Sequence, residues 1–306
     1  HLFRVSFQNS TWDLTADTVS GEEANVQAAE GSWAGAFTAT GLSSSFNPES
    51  LSVKLTSFAA EKPGIQWDMH TLTGDSLKLI DAQFRKNGAD FTAQGQIHMI
   101  NADLKSNGVR VQGDLVIQQL SLKKQNDTLK LSSPLSLTES SIGINEDLTI
   151  SGPVRISQLD LTHDKQGLTL TAQLSEDRLS ATTASGITAS GTAKADVALT
   201  RLSSDVISPL AYEATLWLKD TTVKGIKGAE NITGIQGKLS VSTNSVQTDG
   251  LAFKIFDVPA TASGSIRDFK NFQSELLVTA QNVAIAALAQ NLKTILNKDL
   301  PVSLEG

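Results

Sequence analysis

A two-residue alternation of apolar and polar side chains constrains this chain more than any other feature, because it recurs along almost the whole sequence. It is clear in Leu51-x-Val53-x-Leu55, in Val109-x-Val111 and in Leu168-x-Leu170-x-Ala172-x-Leu174. Successive side chains of a strand point to opposite faces of a sheet, so the pattern predicts strands with one apolar and one solvated face. Such strands are typical of antiparallel sheets.

Turn-forming residues separate the alternating runs at the spacing of a meander. The prolines lie mostly at the edges of the runs, where strand starts and bulges tolerate them. We therefore predict an all-β fold built from one long, mostly antiparallel sheet. The predicted turns are Lys86-Asn-Gly88, Ser106-Asn-Gly108, Gln125-Asn-Asp127, Asn145-Glu-Asp147, Asp164-Lys-Gln-Gly167 and Asp249-Gly250.

A longer period is superimposed on the alternation. Gly113–Leu122 aligns without gaps with Gly152–Leu161, and Leu129 and Leu131 match residues 39 positions later. The shared shape, apolar-x-apolar-x-x-apolar-x-apolar, contains one extra residue, as a β-bulge does when it returns side chains to the same face. A periodic chain of this kind predicts a quasi-one-dimensional sheet over residues 1–281 with units of about 39 residues. Chance matches within a Ser/Thr-rich meander are the alternative.

The chain is long for a single core. It has 306 residues, whereas one hydrophobic core stops growing at roughly 250–300 residues, which favours an elongated, repetitive arrangement. The alternation stops near the C-terminus, where apolar residues recur every three or four positions between Asn282 and Asn297. This predicts a short amphipathic helix over 282–298, followed by the start of another strand over 299–306.

Composition excludes several functional classes. The chain has no cysteine, which excludes disulfides, thiol catalysis and Cys-ligated metals. Its net charge of −7 argues against nucleic acid as a partner. The four histidines are scattered, with no metal-ligand spacing, and neither a nucleophile motif nor a phosphate-binding loop is present. We expect no enzymatic activity, no cofactor and no metal.

The C-terminal stretch from Phe253 to Leu288 resembles the repeating segment of the AsmA-like family, the AsmA, TamB and YhdP type. It contains a strand, a Gly264-Ser265 step, a strand ending at Asp268, another strand, and Asn-Val-x-Ile-x-x-Leu opening a short helix. Similar pieces recur at Gly186–Leu199 and around Gly113 and Gly152. Most of the chain resembles the family only in its general pattern of alternating strands and turns. The C-terminal stretch resembles it in detail.

The resemblance implies a long sheet curled into an open, β-taco-like groove with an apolar inner face. It also implies a function, namely phospholipid transfer or bridging between the membranes of a Gram-negative bacterium. The implied location is the periplasm, with an inner-membrane anchor outside this sequence and membrane proteins as partners at both ends of the full-length chain. The first residues show no signal peptide, and we expect the chain to be part of a longer protein.

The in-phase apolar residues of the repeat are the predicted lining of the groove. A slot for flexible acyl chains agrees with an aromatic content of only 5%. The same residues would equally fill a closed sandwich, and a structural protein or a scaffold for outer-membrane protein assembly is the alternative function. The predicted lining residues are Leu115, Ile117, Leu120, Leu122, Leu129, Leu131, Val154, Ile156, Leu159, Leu161, Leu168 and Leu170.

Overall fold

The computed structural model describes residues 3–28, 31–68, 70–202, 211–226, 231–255, 257–268, 271 and 273–280. Every helix or strand found in these ranges is a β-strand, so the predicted all-β class is confirmed. The predicted helix over 282–298 and the strand start over 299–306 lie outside the described residues. The strands are β1 (Phe3–Gln8), β2 (Thr11–Ala28), β3 (Gly31–Phe46), β4 (Ser50–Trp67), β5 (His70–Thr73), β6 (Ser76–Asn87), β7 (Asp90–Ser106), β8 (Val109–Gln125), β9 (Thr128–Ser132), β10 (Leu135–Ile144), β11 (Leu148–Ser151), β12 (Val154–Asp164), β13 (Gly167–Thr183), β14 (Thr188–Leu202), β15 (Ala211–Lys224), β16 (Asn231–Ser242), β17 (Ser245–Ile255), β18 (Val258–Arg267) and β19 (Gln273–Ala280).

All described strands belong to one sheet with antiparallel pairing. Three long strands are interrupted once each, between β5 and β6, between β9 and β10, and between β11 and β12. Both halves of each interrupted strand pair with the same two neighbouring strands. The sheet is therefore continuous on both sides of each interruption. When each interrupted strand is counted as one, pairing joins consecutive strands of a meander.

Five of the six predicted turns connect strands as expected. Gly88, Asn107, Asn126 and Asn145 adopt positive φ angles there, as tight turns require. The prediction at Asp249-Gly250 is wrong, because both residues lie inside β17 and the connection from β16 comes earlier in the chain. The strand register shifts between Thr248 and Leu251, so this glycine marks an irregularity within a strand.

The bulges predicted from the repeat are present. In β8, Gln118 and Gln119 together face the single residue Gln96 of β7. In β12, Ser157 is the extra residue between Ile156 and Gln158 in the pairing with β13. Each extra residue resets the parity of the strand, so the apolar residues on both sides of a bulge lie on one face.

Further register shifts occur beside glycines that recur with the 39-residue period. Gly35, Gly74, Gly113, Gly152 and Gly191 are each 39 residues apart. Gly113 has a φ of +138°, and a Cβ there would lie 2.8 Å from the carbonyl oxygen of Thr138. An L side chain fits neither the backbone conformation nor the space. The 39-residue unit, two long strands and their turns, therefore extends from β3 to β14.

Few apolar side chains are fully buried in the described part of the chain. The best-packed cluster consists of Ala60, Leu77, Met99 and Ala102, with Trp33 and other half-buried side chains against it. Most apolar side chains in the described strands are half-buried.

Replacing Gly113 with alanine tests the glycine line. We expect Gly113→Ala to lower the free energy of unfolding by about 1–3 kcal/mol, because the residue keeps a glycine-only φ and approaches the backbone of β10. Gly143→Ala in β10 is the matched control, since a Cβ there meets nothing within 4 Å. Urea denaturation of both variants measures the difference, and equal midpoints would contradict the prediction.

Candidate functional site

The register of the sheet aligns apolar residues of successive strands into continuous rows. In row one, each residue is directly opposite the next across twelve consecutive strands, from β2 to β16. Eleven of its members are half-buried and Ala39 is buried. Row one consists of Val19, Ala39, Phe58, Leu79, Ile97, Ile117, Leu135, Ile156, Leu174, Ala195, Leu216 and Leu239.

Two further rows flank row one on the same face. Row two lies toward the turns β6–β7 and β8–β9, and row three lies toward the opposite ends of the strands. All described members of both rows are half-buried. Row two consists of Val53, Phe84, Ala93, Leu122, Leu131, Leu161, Leu170, Leu199 and Tyr212, and row three of Trp33, Ile65, Leu72, Leu104, Val111, Ile142, Ile150, Ala181, Ala189, Val223, Ile232, Ile255 and Val258.

All twelve predicted lining residues lie on this apolar face. Ile117 and Ile156 belong to row one, and both are directly opposite Leu135 of β10. Leu122, Leu131, Leu161 and Leu170 belong to row two. Leu115 and Val154 both pair with Leu137, and Leu159 pairs with Ala172. Leu129 and Leu168 both pair with His163. Leu120 pairs with Gly95 and lines a cavity on this face.

The apolar face is concave in places. A cavity of about 280 Å³ lies over β4, β6, β7 and β8, and we name it the apolar cavity. Its walls include Val53, Leu55, Phe84, Ala93 and Leu120. Aromatic rings continue the surface toward β3, where Phe37 and Phe58 stack with centroids 5.7 Å apart. The cavity therefore offers a nonpolar ligand contact with side chains of rows one and two.

The opposite face of the sheet is polar. Lys105 and Arg110 are directly opposite each other in β7 and β8, and Asp103 lies beside both. Arg110 donates hydrogen bonds of 2.8 and 2.7 Å to the two carboxylate oxygens of Asp103, and the Lys105 Nζ is 3.7 Å from Oδ2. The hydrogen bonds from Arg110 lower the pKa of Asp103 below its usual value. One carboxylate thus offsets two like charges.

The titratable side chains of the described residues form no cluster typical of a metal site. Within the described ranges, no group of three or more His, Asp or Glu side chains could hold a metal ion. No helix among these residues is long and apolar enough to span a membrane. The described carboxylates with shifted pKa values have lowered ones, caused mainly by hydrogen bonds at the surface. The unusual feature of the molecule is therefore its apolar face.

Comparison with known proteins yields no match to a family model, to a curated protein or to a solved structure.

Sequence reasoning missed row three and the extent of row one beyond β13. The alternating runs at Val109, Ile142 and Leu148 were visible, but the pairing of their residues across strands was not. The glycines spaced by 39 residues would have extended the period to Gly35 and Gly191. They mark corresponding positions of successive units, from which the alignment of the rows could have been inferred.

The polar face yields a prediction for stability. Asp103→Asn should lower the free energy of unfolding at pH 7 by at most about 1 kcal/mol, because the Arg110 side chain is 51% exposed and solvent screens the ion pair. Since folding lowers the pKa of Asp103, its contribution is complete above the unfolded value of about 3.9. It is lost as the pH falls through the lower folded value, so the two proteins should converge near pH 2.

Chemical denaturation of both proteins between pH 2 and 7 measures this difference. Asp196→Asn on β14 removes a carboxylate from the polar face for which no ion pair is found in the described residues, and serves as the control. An equal loss at pH 7 in both variants would show that Asp103 has no special role.

Proposed function

We propose that this protein transfers or bridges phospholipid between membranes by carrying acyl chains along its apolar face. The observation that supports this most strongly is row one, an uninterrupted line of apolar, mostly half-buried side chains across twelve strands. At a strand spacing of about 4.8 Å, this line extends for on the order of 50 Å. No charged side chain lies in row one, row two or row three.

The energetics of lipid movement require a surface of this kind. A lipid that leaves a bilayer exposes about 0.8 kcal/mol per CH₂ group to water, so a carrier must offer apolar contact along the route. Three parallel rows of apolar side chains provide contact from strand to strand. Because nothing is transformed chemically in such transport, the proposal includes no catalytic group and no cofactor.

The finer architecture is also part of the proposal. Bulges bend strands and increase local twist, and here they recur at similar positions in every second long strand, such as β6, β8 and β12. Lines of bends that cross the sheet would curl it around the apolar face into an open groove. The half-burial of rows one, two and three in the described strands supports an open arrangement over a closed sandwich, which would bury both inner faces.

The cellular setting is proposed from the resemblance to the AsmA-like family. It places the chain in the periplasm of a Gram-negative bacterium, as a piece of a protein anchored in the inner membrane. The partners would be phospholipid and membrane proteins at the two ends of the full-length chain, and nucleic acid would not be among them.

Charged substitutions on the apolar face test lipid carriage. We expect the purified chain to carry phospholipid that mass spectrometry detects, and Ile117→Asp or Ile156→Asp to reduce the lipid carried at least about tenfold. A buried carboxylate beside an acyl chain is costly, whereas a half-open face lets the chain fold. Val116→Asp is the matched control, since Val116 lies on the opposite face of β8, between His98 and Ser136.

Circular dichroism identifies variants that fail to fold. If the wild-type chain carries no lipid, or if Val116→Asp loses as much lipid as Ile117→Asp, lipid carriage along this face is refuted. Global unfolding of both apolar-face variants would instead favour a closed core.

A scaffold function is the second candidate, supported by β19. Leu276, Leu277 and Val278 of this strand are 52%, 66% and 57% exposed, and its partner in the described part of the chain is β18 alone. An exposed apolar edge strand can pair with the strand of a client protein. Leu277→Lys should then abolish cross-linking to an unfolded outer-membrane protein while the lipid carried stays unchanged. Loss of lipid without loss of cross-linking would argue against the scaffold.

A further inference from the structure

A fourth row of directly paired side chains borders the apolar face near the ends of the strands. In each strand that it crosses from β4 to β14, it lies two residues nearer the turns than row two, and residues two apart along a strand share a face. It continues through β3 and β2 to β1, because residues directly opposite each other also share a face. We name it the rim row, and it consists of Phe7, Trp12, Phe46, Leu51, Lys86, Phe91, Lys124, Leu129, His163, Leu168 and Arg201.

From β4 to β14, apolar and basic side chains alternate strictly in the rim row. No carboxylate interrupts this part of the row, and at about 4.8 Å per strand it extends for roughly 35 Å. Rows one, two and three contain no charged side chain, so basic residues border the apolar face here. The apolar members are Leu51, Phe91, Leu129 and Leu168, and the basic members are Lys86, Lys124, His163 and Arg201.

Exposed aromatic side chains continue the rim row toward β1. Phe7, Trp12 and Phe46 are 59%, 51% and 50% exposed. The ring centroids of Phe7 and Trp12 are 4.6 Å apart, so these two rings form one apolar surface. Large apolar side chains that are exposed side by side mark a surface that contacts a protein partner or a membrane.

The strand ends beside the rim row carry a net positive charge, although the chain as a whole has a net charge of −7. Residues 47–54, 84–92 and 122–130 contain six Lys or Arg and three Asp or Glu residues. Asp127 pairs with Lys165 at 2.7 Å, and its pKa is lowered mainly by that hydrogen bond and to a lesser extent by the charge of Lys124. The ion pairs found among the described residues do not include Lys86. Positive charge therefore exceeds negative charge at this border, which favours an anionic partner.

We propose that the rim row docks on the surface of a bilayer that contains anionic phospholipid. Its aromatic and leucine side chains would lie at the boundary between headgroups and acyl chains, where Trp and Phe are favoured. Its lysines would bury their apolar stems there while their charged ends reach the lipid phosphates. The negative surface potential of such a bilayer attracts clustered basic side chains. An acidic protein would attract the same lysines, but the exposed rings favour a partner with an apolar layer.

The rim row is also continuous with the apolar face. The ring centroid of Phe91 is 6.0 Å from that of Phe84 in row two. A bilayer docked at the rim row would therefore lie beside the rows proposed to carry acyl chains. The inference goes beyond the proposed function and does not depend on it, since a protein can bind a bilayer without carrying lipid.

The experiment measures flotation of the full chain with vesicles of phosphatidylcholine, with or without phosphatidylglycerol, at about 0.05 M and about 0.5 M salt. The rim variants are Trp12→Ser and the double variant Lys86→Gln, Lys124→Gln. The matched controls are Trp217→Ser and the double variant Lys194→Gln, Lys238→Gln. Trp217 is 39% exposed and lies directly opposite both control lysines on the polar face.

We expect the wild type to bind vesicles with phosphatidylglycerol at low salt at least about tenfold better than vesicles without it, and high salt to weaken this binding. Each rim variant should lose at least about fivefold of the binding, whereas both controls should stay within about twofold of the wild type. Circular dichroism shows that the compared variants are folded.

Four outcomes would overturn the docking assignment. They are no preference for phosphatidylglycerol, equal losses in the rim and control variants, unchanged binding by Trp12→Ser, and binding of the wild type to polyglutamate but not to vesicles. The last would assign the lysines to an acidic protein. Mass spectrometry of the lipid carried by the same proteins separates the two proposals. Carried lipid without vesicle binding overturns docking alone, whereas vesicle binding without carried lipid refutes the proposed function and leaves docking in place.

Discussion

The cross-strand register of the sheet is the constraint on which the other features of this protein depend. Because side chains alternate between faces, a shift of one residue in the pairing of β8 with β7 would move Ile117 from the apolar face to the polar one. Row one requires that this register hold at every interface from β2 to β16. Bulges such as the one at Gln118 and Gln119 preserve it, since they absorb an extra residue without reversing the face of the residues that follow.

The need for glycine at positions 39 residues apart follows from the same pairing of strands. Where the strands bend, backbones of neighbouring strands approach closely, and a side chain at Gly74 would collide with the buried Met99. Each unit of 39 residues has a glycine at the corresponding position, so the close approach of backbones is repeated along the sheet. The result is a sheet that grows along one axis while its apolar rows stay in line, which a protein with a single central core could not achieve at this length.

The apolar face is only half-buried in the described part of the chain. Within the described residues, tight packing is confined to a small cluster around Met99, and most of rows one, two and three keep some contact with solvent. Acyl chains would supply the missing contacts, and they suit a surface without regularly spaced bulky side chains. On the polar face, the carboxylate of Asp103 offsets the charges of Lys105 and Arg110.

The sequence alone determined the strand class, five turns, the bulges of the repeat and the apolar side of the strands with a clear alternation, because these depend on spacing along the chain. Asp249-Gly250 shows the limit: the same two residues favour a turn, yet they lie inside β17, since the preceding Thr243-Asn244 already reverses the chain. Only the tertiary structure decided which residues lie opposite each other. The rows of apolar side chains, the ring contact of Phe84 with Phe91 and the ion pairs of Asp103 depend on register between strands. Register is a relation between distant segments, and the spacing within one segment does not contain it.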